Sequence, residues 1–278
     1  MSGSGMIEYP FGAGASLTRV IEAGTGDDAA IFVHGLGARA DRWRRNLTVF
    51  ADAGYHCYAV DLPGHGFAGK GNAVPHGVPG LADFLTDFLD AMGIARATLI
   101  GTSLGGHIAA AVACRDPDRV RALVLVGTLG LVPIGAEAGR AIRESVRNTT
   151  REAISGKLAF VLADSALATP ELIEEEYRIN NSPGAAESFA RLGDYIANGV
   201  DDDIVADALR GLVGVLPIML VWGGADKAVP LVVGEKSRFL LGDVPMLTIE
   251  GAGHAPYFEK ADAFNGPVLK FLAGARRQ

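Results

Sequence analysis

Gly101-Thr102-Ser103-Leu104-Gly105 is flanked on one side by the apolar run Ala97-Thr98-Leu99-Ile100 and on the other by His107-Ile108-Ala109-Ala110-Ala111-Val112-Ala113. The first flank reads as a buried strand and the second as a helix, so the five residues between them form a strand–turn–helix junction. In such a turn the serine backbone is strained and its hydroxyl projects above the sheet. Side chains two positions to either side would collide with the adjoining strand and helix. Gly101 and Gly105 remove those side chains, and Gly106 adds clearance. Ser103 is therefore the candidate nucleophile.

Further apolar runs recur on both sides of this junction, at Ala30–Val33, His56–Asp61, Ala122–Val126, Ile218–Trp222 and Met246–Glu250. Amphipathic or Ala-rich segments, such as Leu81–Met92, separate them. This alternation predicts an α/β fold, a mostly parallel, doubly wound sheet with helices on both faces. One or two antiparallel strands are expected before Ala30, around Met6–Tyr9 and Leu17–Glu22. The strand rhythm stops after Val126 and resumes at Leu216-Pro217-Ile218. The intervening stretch is rich in Ala, Glu and Arg at helical spacing, as in Glu137–Asn148, Arg151–Leu162 and Glu171–Asn180, with Pro170 and Pro183 as punctuation. The expected organisation is a core in two parts, residues 1–132 and 212–278, with a helical cap over residues 133–211. The cap would lie above the carboxyl end of the sheet, where ligands bind in open α/β folds.

Composition narrows the function classes. The chain has 278 residues, 49% of them hydrophobic and 21% charged, which suits a soluble globular protein. A net charge of −7 and a pI near 5.4 speak against a nucleic-acid partner. No apolar run reaches the roughly 18 residues that a membrane span needs. Met1-Ser2-Gly3-Ser4-Gly5 has neither the charged nor the apolar region of a signal peptide, and reads as a frayed end. The two cysteines, Cys57 and Cys114, read as reduced and buried, which implies a cytoplasmic location. No Cys/His spacing suggests a metal site, and no cofactor is expected. A homodimer is the default assembly.

A serine hydroxyl is a weak nucleophile until a base takes its proton. The candidate base is His254, in the Gly-rich loop Gly251-Ala252-Gly253-His254-Ala255-Pro256 after the last strand. The other histidines sit in turns, a strand, a loop or a helix, where a structural role is expected. An acid must orient the imidazole. Asp226 follows Met219-Leu220-Val221-Trp222 in the turn Gly223-Gly224-Ala225-Asp226, while the end of the preceding strand, around Thr128, offers no carboxylate. The alternative for Asp226 is a loop-capping role. Negative charge on a tetrahedral intermediate needs backbone N–H donors. Leu104, just after the nucleophile, supplies one. Leu36, in His34-Gly35-Leu36-Gly37 after the early strand, supplies the other. Ser103, Asp226 and His254 occur in the chain order serine, acid, histidine.

With Asp61-Leu62-Pro63-Gly64-His65-Gly66 added, these five ordered motifs closely resemble the α/β-hydrolase superfamily. The resemblance gives the Asp61–Gly66 turn a structural role. A narrower resemblance, to the meta-cleavage product hydrolases, rests on Leu123-Val124-Leu125-Val126-Gly127 with Gly130-Leu131, on Thr169-Pro170-Glu171-Leu172-Ile173, and on Phe258-Glu259-Lys260-Ala261-Asp262-Ala263-Phe264-Asn265. It implies cleavage of a carbon–carbon bond in vinylogous 1,5-diketones from aromatic ring fission, after the substrate ketonises. The chain departs from that subfamily at Thr102, where Asn is usual, and at Ala255, where Trp is common. The cap arginine that would bind the substrate's acid group is replaced by Arg178, displaced and beside Glu174-Glu175-Glu176, which would repel an acid. Ester, lactone or amide hydrolysis therefore stands beside carbon–carbon cleavage. A ligand receptor and a cofactor-free perhydrolase are further alternatives. Serine at position 103 disfavours a dehalogenase, and the absence of a phosphate-loop lysine disfavours nucleotide binding.

The candidate substrate contacts are Gly35, Thr102, Trp43, Arg45, Leu129 and Arg178. Trp43 reads either as an aromatic wall with a nearby arginine or as a partly buried residue beside solvated arginines. Arg140, Arg143 and Arg147 recur on one helical face and read as solvated. Asp201-Asp202-Asp203 reads as a helix start.

Overall fold

The structure is a computed structural model that describes residues 5–275, so the reading of Met1–Ser4 lies outside the described residues. Its strands are β1 (Met6–Ala13), β2 (Ser16–Ala23), β3 (Asp28–Val33), β4 (Tyr55–Val60), β5 (Ala97–Thr102), β6 (Val120–Val126), β7 (Ile218–Gly223) and β8 (Met246–Ile249). The helices are α1 (Arg44–Asp52), α2 (Val78–Ala91), α3 (Leu104–Arg115), α4 (Ala136–Arg147), α5 (Arg151–Val161), α6 (Pro170–Asn180), α7 (Ala185–Asn198), α8 (Ala206–Arg210), α9 (Leu231–Leu240), α10 (Pro256–Glu259) and α11 (Ala261–Ala275).

The strands form one sheet in the order β1-β2-β4-β3-β5-β6-β7-β8. β2 is antiparallel to both of its neighbours, and the pairs from β4 to β8 are parallel. The antiparallel strands expected before Ala30 are β1, which runs on past Tyr9 to Ala13, and β2, which extends one residue beyond its sequence signal at each end. The order reverses at β3, which has β4 on one side and β5 on the other, and a crevice opens at the carboxyl ends around such a switch. Register aligns the exits: Val33 lies opposite Gly101, Thr102 opposite Val126, Val126 opposite Val221, and Gly223 opposite Ile249. The loops after β3, β5, β6, β7 and β8 therefore leave along one edge.

Both faces of the central parallel strands are covered, which is why β3, β5, β6 and β7 are almost continuously apolar, whereas the edge strand β1 is largely exposed. Leu99, Leu123, Leu125, Leu220 and Trp222 belong to the core on the α2–α3 side. Phe32, Ile100, Val124, Val126 and Val221 belong to the core on the α1–α11 side. Every residue of α3 from Leu104 to Ala113 is buried. A helix enclosed all round needs small apolar residues on every face, and its alanines supply them.

Between β6 and β7 the chain builds α4 to α8. α4 packs on α7, and Phe189, Leu192, Ile196 and Leu209 join the core on the α2–α3 side. α5 and α6 have a small core of their own, Ile154, Leu158 and Leu162 with Leu172 and Ile173, which packs against Ala255 and Phe258. Their first turns are held by Thr150 and Thr169, whose hydroxyl oxygens accept the N–H of Ala153 and Leu172 at 3.2 Å. Asp201-Asp202-Asp203 does not begin an α-helix. It lies in the short 3-10 turn Val200–Asp203, and the Asp201 carboxylate instead accepts the N–H groups of Ile134 and Gly135 ahead of α4, at 2.8 and 2.9 Å. Those donors lie 67 and 66 residues away in the chain, so the role has no local signature.

Cys57 is buried, Cys114 is half-buried rather than enclosed, and both are free thiols. No helix among the described residues is long and apolar enough to cross a membrane.

Candidate active site

Ser103 has φ 53° and ψ −120°, a left-handed conformation that a residue with a side chain adopts only under constraint. Backbone bonds supply the constraint. Its N–H donates to the Val126 carbonyl at 2.9 Å, and its own carbonyl accepts the N–H groups of His107 and Leu129 at 3.1 and 3.2 Å. The glycines around it are required by close approach. A Cβ on Gly101 would stand 2.3 Å from the Gly105 carbonyl oxygen, and one on Gly105 would stand 2.3 Å from that of His34. A Cβ on Gly35 would lie 3.0 Å from the Ser103 Cβ, so the loop after β3 is pressed against the serine. Leu36 follows in that loop, and Leu104 opens α3.

The loop is fixed from below by His34. Its Nε2 accepts the Leu62 N–H at 2.9 Å, which leaves Nδ1 to donate to the Gly35 carbonyl at 2.8 Å. That pairing requires the neutral ring. Asp61 is fully buried, and its carboxylate accepts the N–H groups of Ala40 and Phe67 at 2.8 Å and pairs with Arg19 at 3.0 Å. These bonds tie the Asp61–Gly66 turn to the loop beside Ser103.

Burial pulls His34 down to about 4, with Arg19 and Arg39 adding to the effect, and burial beside His34 pulls His65 down to about 3. Both folded-state values lie below the ordinary value of 6.5. The unfolded chain therefore binds these protons first as pH falls, and stability declines from about pH 6.5 downward. By pH 4.5 each histidine is expected to remove on the order of 2 to 3 kcal/mol. Urea unfolding at pH 7.0 and 4.5 measures this, and a stability that stays flat over that interval contradicts the neutral assignment.

Asp226 and His254 are paired. His254 Nδ1 donates to Asp226 Oδ2 at 2.8 Å, and Asp226 Oδ1 accepts the N–H groups of Ala228 and Val229, each at 2.9 Å. The Asp226 side chain is fully buried, so both of its oxygens are directed by these bonds. With the Nδ1 N–H donating to the carboxylate, the lone pair of the neutral ring lies on Nε2. Gly127 packs directly against this pair. It has φ +48°, and a Cβ there would lie 3.1 Å from His254 Nδ1 and 3.2 Å from Asp226 Oδ2. It directly follows Val126, whose carbonyl holds Ser103.

The candidate substrate contacts separate into two groups. Gly35, Thr102 and Leu129 adjoin Ser103; Thr102 and Leu129 are buried, and Tyr257 reaches the Thr102 side chain. Trp43 is fully buried and stacked on Tyr257 with ring centroids 3.7 Å apart, so it is a core residue and not a pocket wall. Arg45 donates to the Phe258 carbonyl at 3.0 Å and lies over the Phe258 ring. Arg178 has a side chain 77% exposed to solvent and pairs with Glu174 at 2.8 Å.

The charges at the boundary with α6 differ from their sequence reading. Glu174 pairs with Arg151 and Arg178, Glu175 with Arg39, and Glu176 with Arg42. The three carboxylates are thus neutralised and do not form a repulsive patch. Arg42, beside Trp43, is buried and not solvated, and Arg39 is buried as well. Arg42 Nη1 is buried with no hydrogen-bond partner among the described residues, and the guanidinium lies over the Phe258 ring, 5.0 Å from its centroid.

The alpha/beta hydrolase fold family profile matches residues 29–261. The 2-hydroxy-6-oxononadienedioate/2-hydroxy-6-oxononatrienedioate hydrolase of Burkholderia vietnamiensis is 32% identical over 262 residues, covering 90% of this chain and 89% of that protein. The 2-hydroxy-6-oxo-6-phenylhexa-2,4-dienoate hydrolase of Comamonas testosteroni is 30% identical, with 90% and 89% covered. The Rhodococcus enzyme of that name superposes with a TM-score of 0.86 over 97% of this chain and 99% of its own, at 18% identity, which is a likeness of fold.

Proposed function

Because the chain belongs to the α/β-hydrolase family, on its meta-cleavage product hydrolase branch, we propose that it hydrolyses a carbon–carbon bond in a small ring-fission product that carries a carboxylate. Ser103 is the nucleophile, His254 the base and then the acid, and Asp226 the group that orients His254. The observation that carries this reading is the Asp226–His254 pair packed on Gly127, one residue beyond the carbonyl that holds Ser103.

Once the dienol has ketonised, His254 Nε2 takes the Ser103 hydroxyl proton as Oγ adds to the ketone carbonyl. The N–H groups of Leu36 and Leu104 stabilise the oxyanion. The carbon–carbon bond breaks, and the imidazolium returns its proton to the departing carbon. The acyl group stays on Ser103. Water then adds to the acyl carbonyl as it gives a proton to Nε2, and Ser103 leaves carrying that proton. The steps use no cofactor. Residues 133–211 act as a cap that excludes bulk water. The acid group is assigned to Arg42 Nη1, since Arg178 is turned to solvent.

The second reading is ester, lactone or amide hydrolysis, favoured by the exposure of Arg178. Parallel turnover of a yellow ring-fission dienone acid and a short p-nitrophenyl ester separates the two. The expected result is much faster bleaching of the dienone. Arg42→Gln is expected to lower kcat/KM for the acid by about 10- to 100-fold, the loss of one charge-assisted hydrogen bond, and to leave the neutral ester within a few-fold. Ester turnover with an untouched dienone overturns the first reading in favour of the second.

A further inference from the structure

The loop that carries His254 is held by Glu259. Glu259 Oε1 accepts the N–H groups of Gly253 and Ala255, at 2.9 and 3.3 Å, the residues on either side of His254. Glu259 Oε2 accepts the N–H groups of Ala163 and Asp164, at 2.7 and 3.3 Å, just beyond α5. The His254 N–H itself donates to the carbonyl of Val161, the last residue of α5, at 2.7 Å. Three consecutive N–H groups, 253 to 255, are therefore bonded alternately to Glu259 and to α5. The approach is close: a Cβ on Gly253 would lie 2.5 Å from the Val161 carbonyl oxygen. Ala255 and Phe258 add apolar packing on Leu158 and Leu162.

We propose that Glu259 is a positioning residue for His254: its carboxylate fixes the backbone of the base and joins it to the α5–α6 pair, so the place of the imidazole depends on the seat of that pair. The proposal rests on the reading of His254 as base. The chemistry selects a carboxylate. Four converging donors need an acceptor-only group with about four lone-pair sites. Gln at 259 has the same shape but must turn its NH2 toward either the Gly253/Ala255 donors or the Ala163/Asp164 donors, and one pair is lost. Asp keeps the acceptors on a shorter stem.

The test compares wild type, Glu259→Gln, Glu259→Asp and Ser103→Ala. A fluorophosphonate probe phosphonylates an activated serine: the Oγ–P bond forms, P–F breaks, and the hydroxyl proton passes to the base. The amplitude counts competent sites, so rate constants are read per folded site even where a variant folds in part. Glu259→Gln is expected to slow phosphonylation and to lower kcat for a p-nitrophenyl ester by about 10- to 100-fold, with KM within about threefold, since a displacement near 1 Å costs about that much. Glu259→Asp is expected to recover part of the loss. Ser103-dependent labelling that Glu259→Gln leaves at the wild-type rate overturns this proposal alone. A loss that raises KM as much as it lowers kcat, with no recovery in Glu259→Asp, also overturns it. Wild-type labelling that persists in Ser103→Ala overturns the triad reading and this proposal with it.

Discussion

Ser103→Ala is expected to lower turnover of every substrate by about 10,000-fold or more while the chain remains folded. The two halves of that expectation have separate physical grounds. Activity falls because the change removes the atom that would bond to the carbonyl, and the Thr128 hydroxyl does not replace it, since Thr128 Oγ1 is bonded to the Leu129 carbonyl at 2.8 Å. A small residual rate is expected from the Leu36 and Leu104 N–H groups, which still polarise a bound carbonyl. The fold survives because Ser103 is held through its backbone, by Val126, His107 and Leu129, and Ala keeps every one of those bonds. Steady-state turnover of the purified variant, with its thermal unfolding midpoint beside that of wild type, tests both halves. Activity at a few per cent of wild type, free of contaminating enzyme, removes Ser103 from the role of nucleophile.

The sheet and the core of the candidate site were legible in the sequence because both are local. Strands β3 to β8 are apolar runs bounded by turn residues, and each begins and ends within two residues of its sequence signal. Ser103 sits in a motif five residues long, and Asp226 and His254 each follow a strand in a Gly-rich turn. What was not legible depends on contacts between distant segments. Trp43 and Arg42 are neighbours in the chain, yet one is stacked in the core on Tyr257 and the other holds Glu176 across 134 residues. Arg178 was placed on a helix, but which face that helix turns to solvent is decided by packing. Glu259 lies within the stretch Phe258–Asn265, and its partners at Ala163 and Asp164 are 96 and 95 residues away. Gly127 carried one faint signal, a glycine directly ending an otherwise apolar strand, and only its approach to the Asp226–His254 pair gives that signal a meaning.

Gly105→Ala is expected to remove activity by about 1,000-fold or more and to destabilise the chain by about 2 to 4 kcal/mol. The added methyl would stand 2.3 Å from the His34 carbonyl oxygen and 2.5 Å from that of Val33. Both are backbone atoms, so no side chain can swing aside; either α3 retreats from the end of β3 or the loop after β3 is displaced. That loop is pinned by His34 to Leu62 and Gly35, and by Asp61 to Ala40, so its movement breaks buried hydrogen bonds. Retreat of α3 instead carries Leu104 away from Leu36, widening the gap between the two N–H groups assigned to the oxyanion. Gly156→Ala serves as the internal control, because Gly156 lies within α5 with nothing within 4 Å of its added Cβ. There the same methyl group relieves the entropy that glycine loses in a helix and is expected to stabilise by about 0.5 to 1 kcal/mol. Opposite signs from one chemical change would locate the cause in the contact at the elbow. Urea unfolding and kcat/KM for the two variants measure it, and a Gly105→Ala enzyme with near wild-type activity would mean that the spacing of Leu36 and Leu104 does not control the reaction.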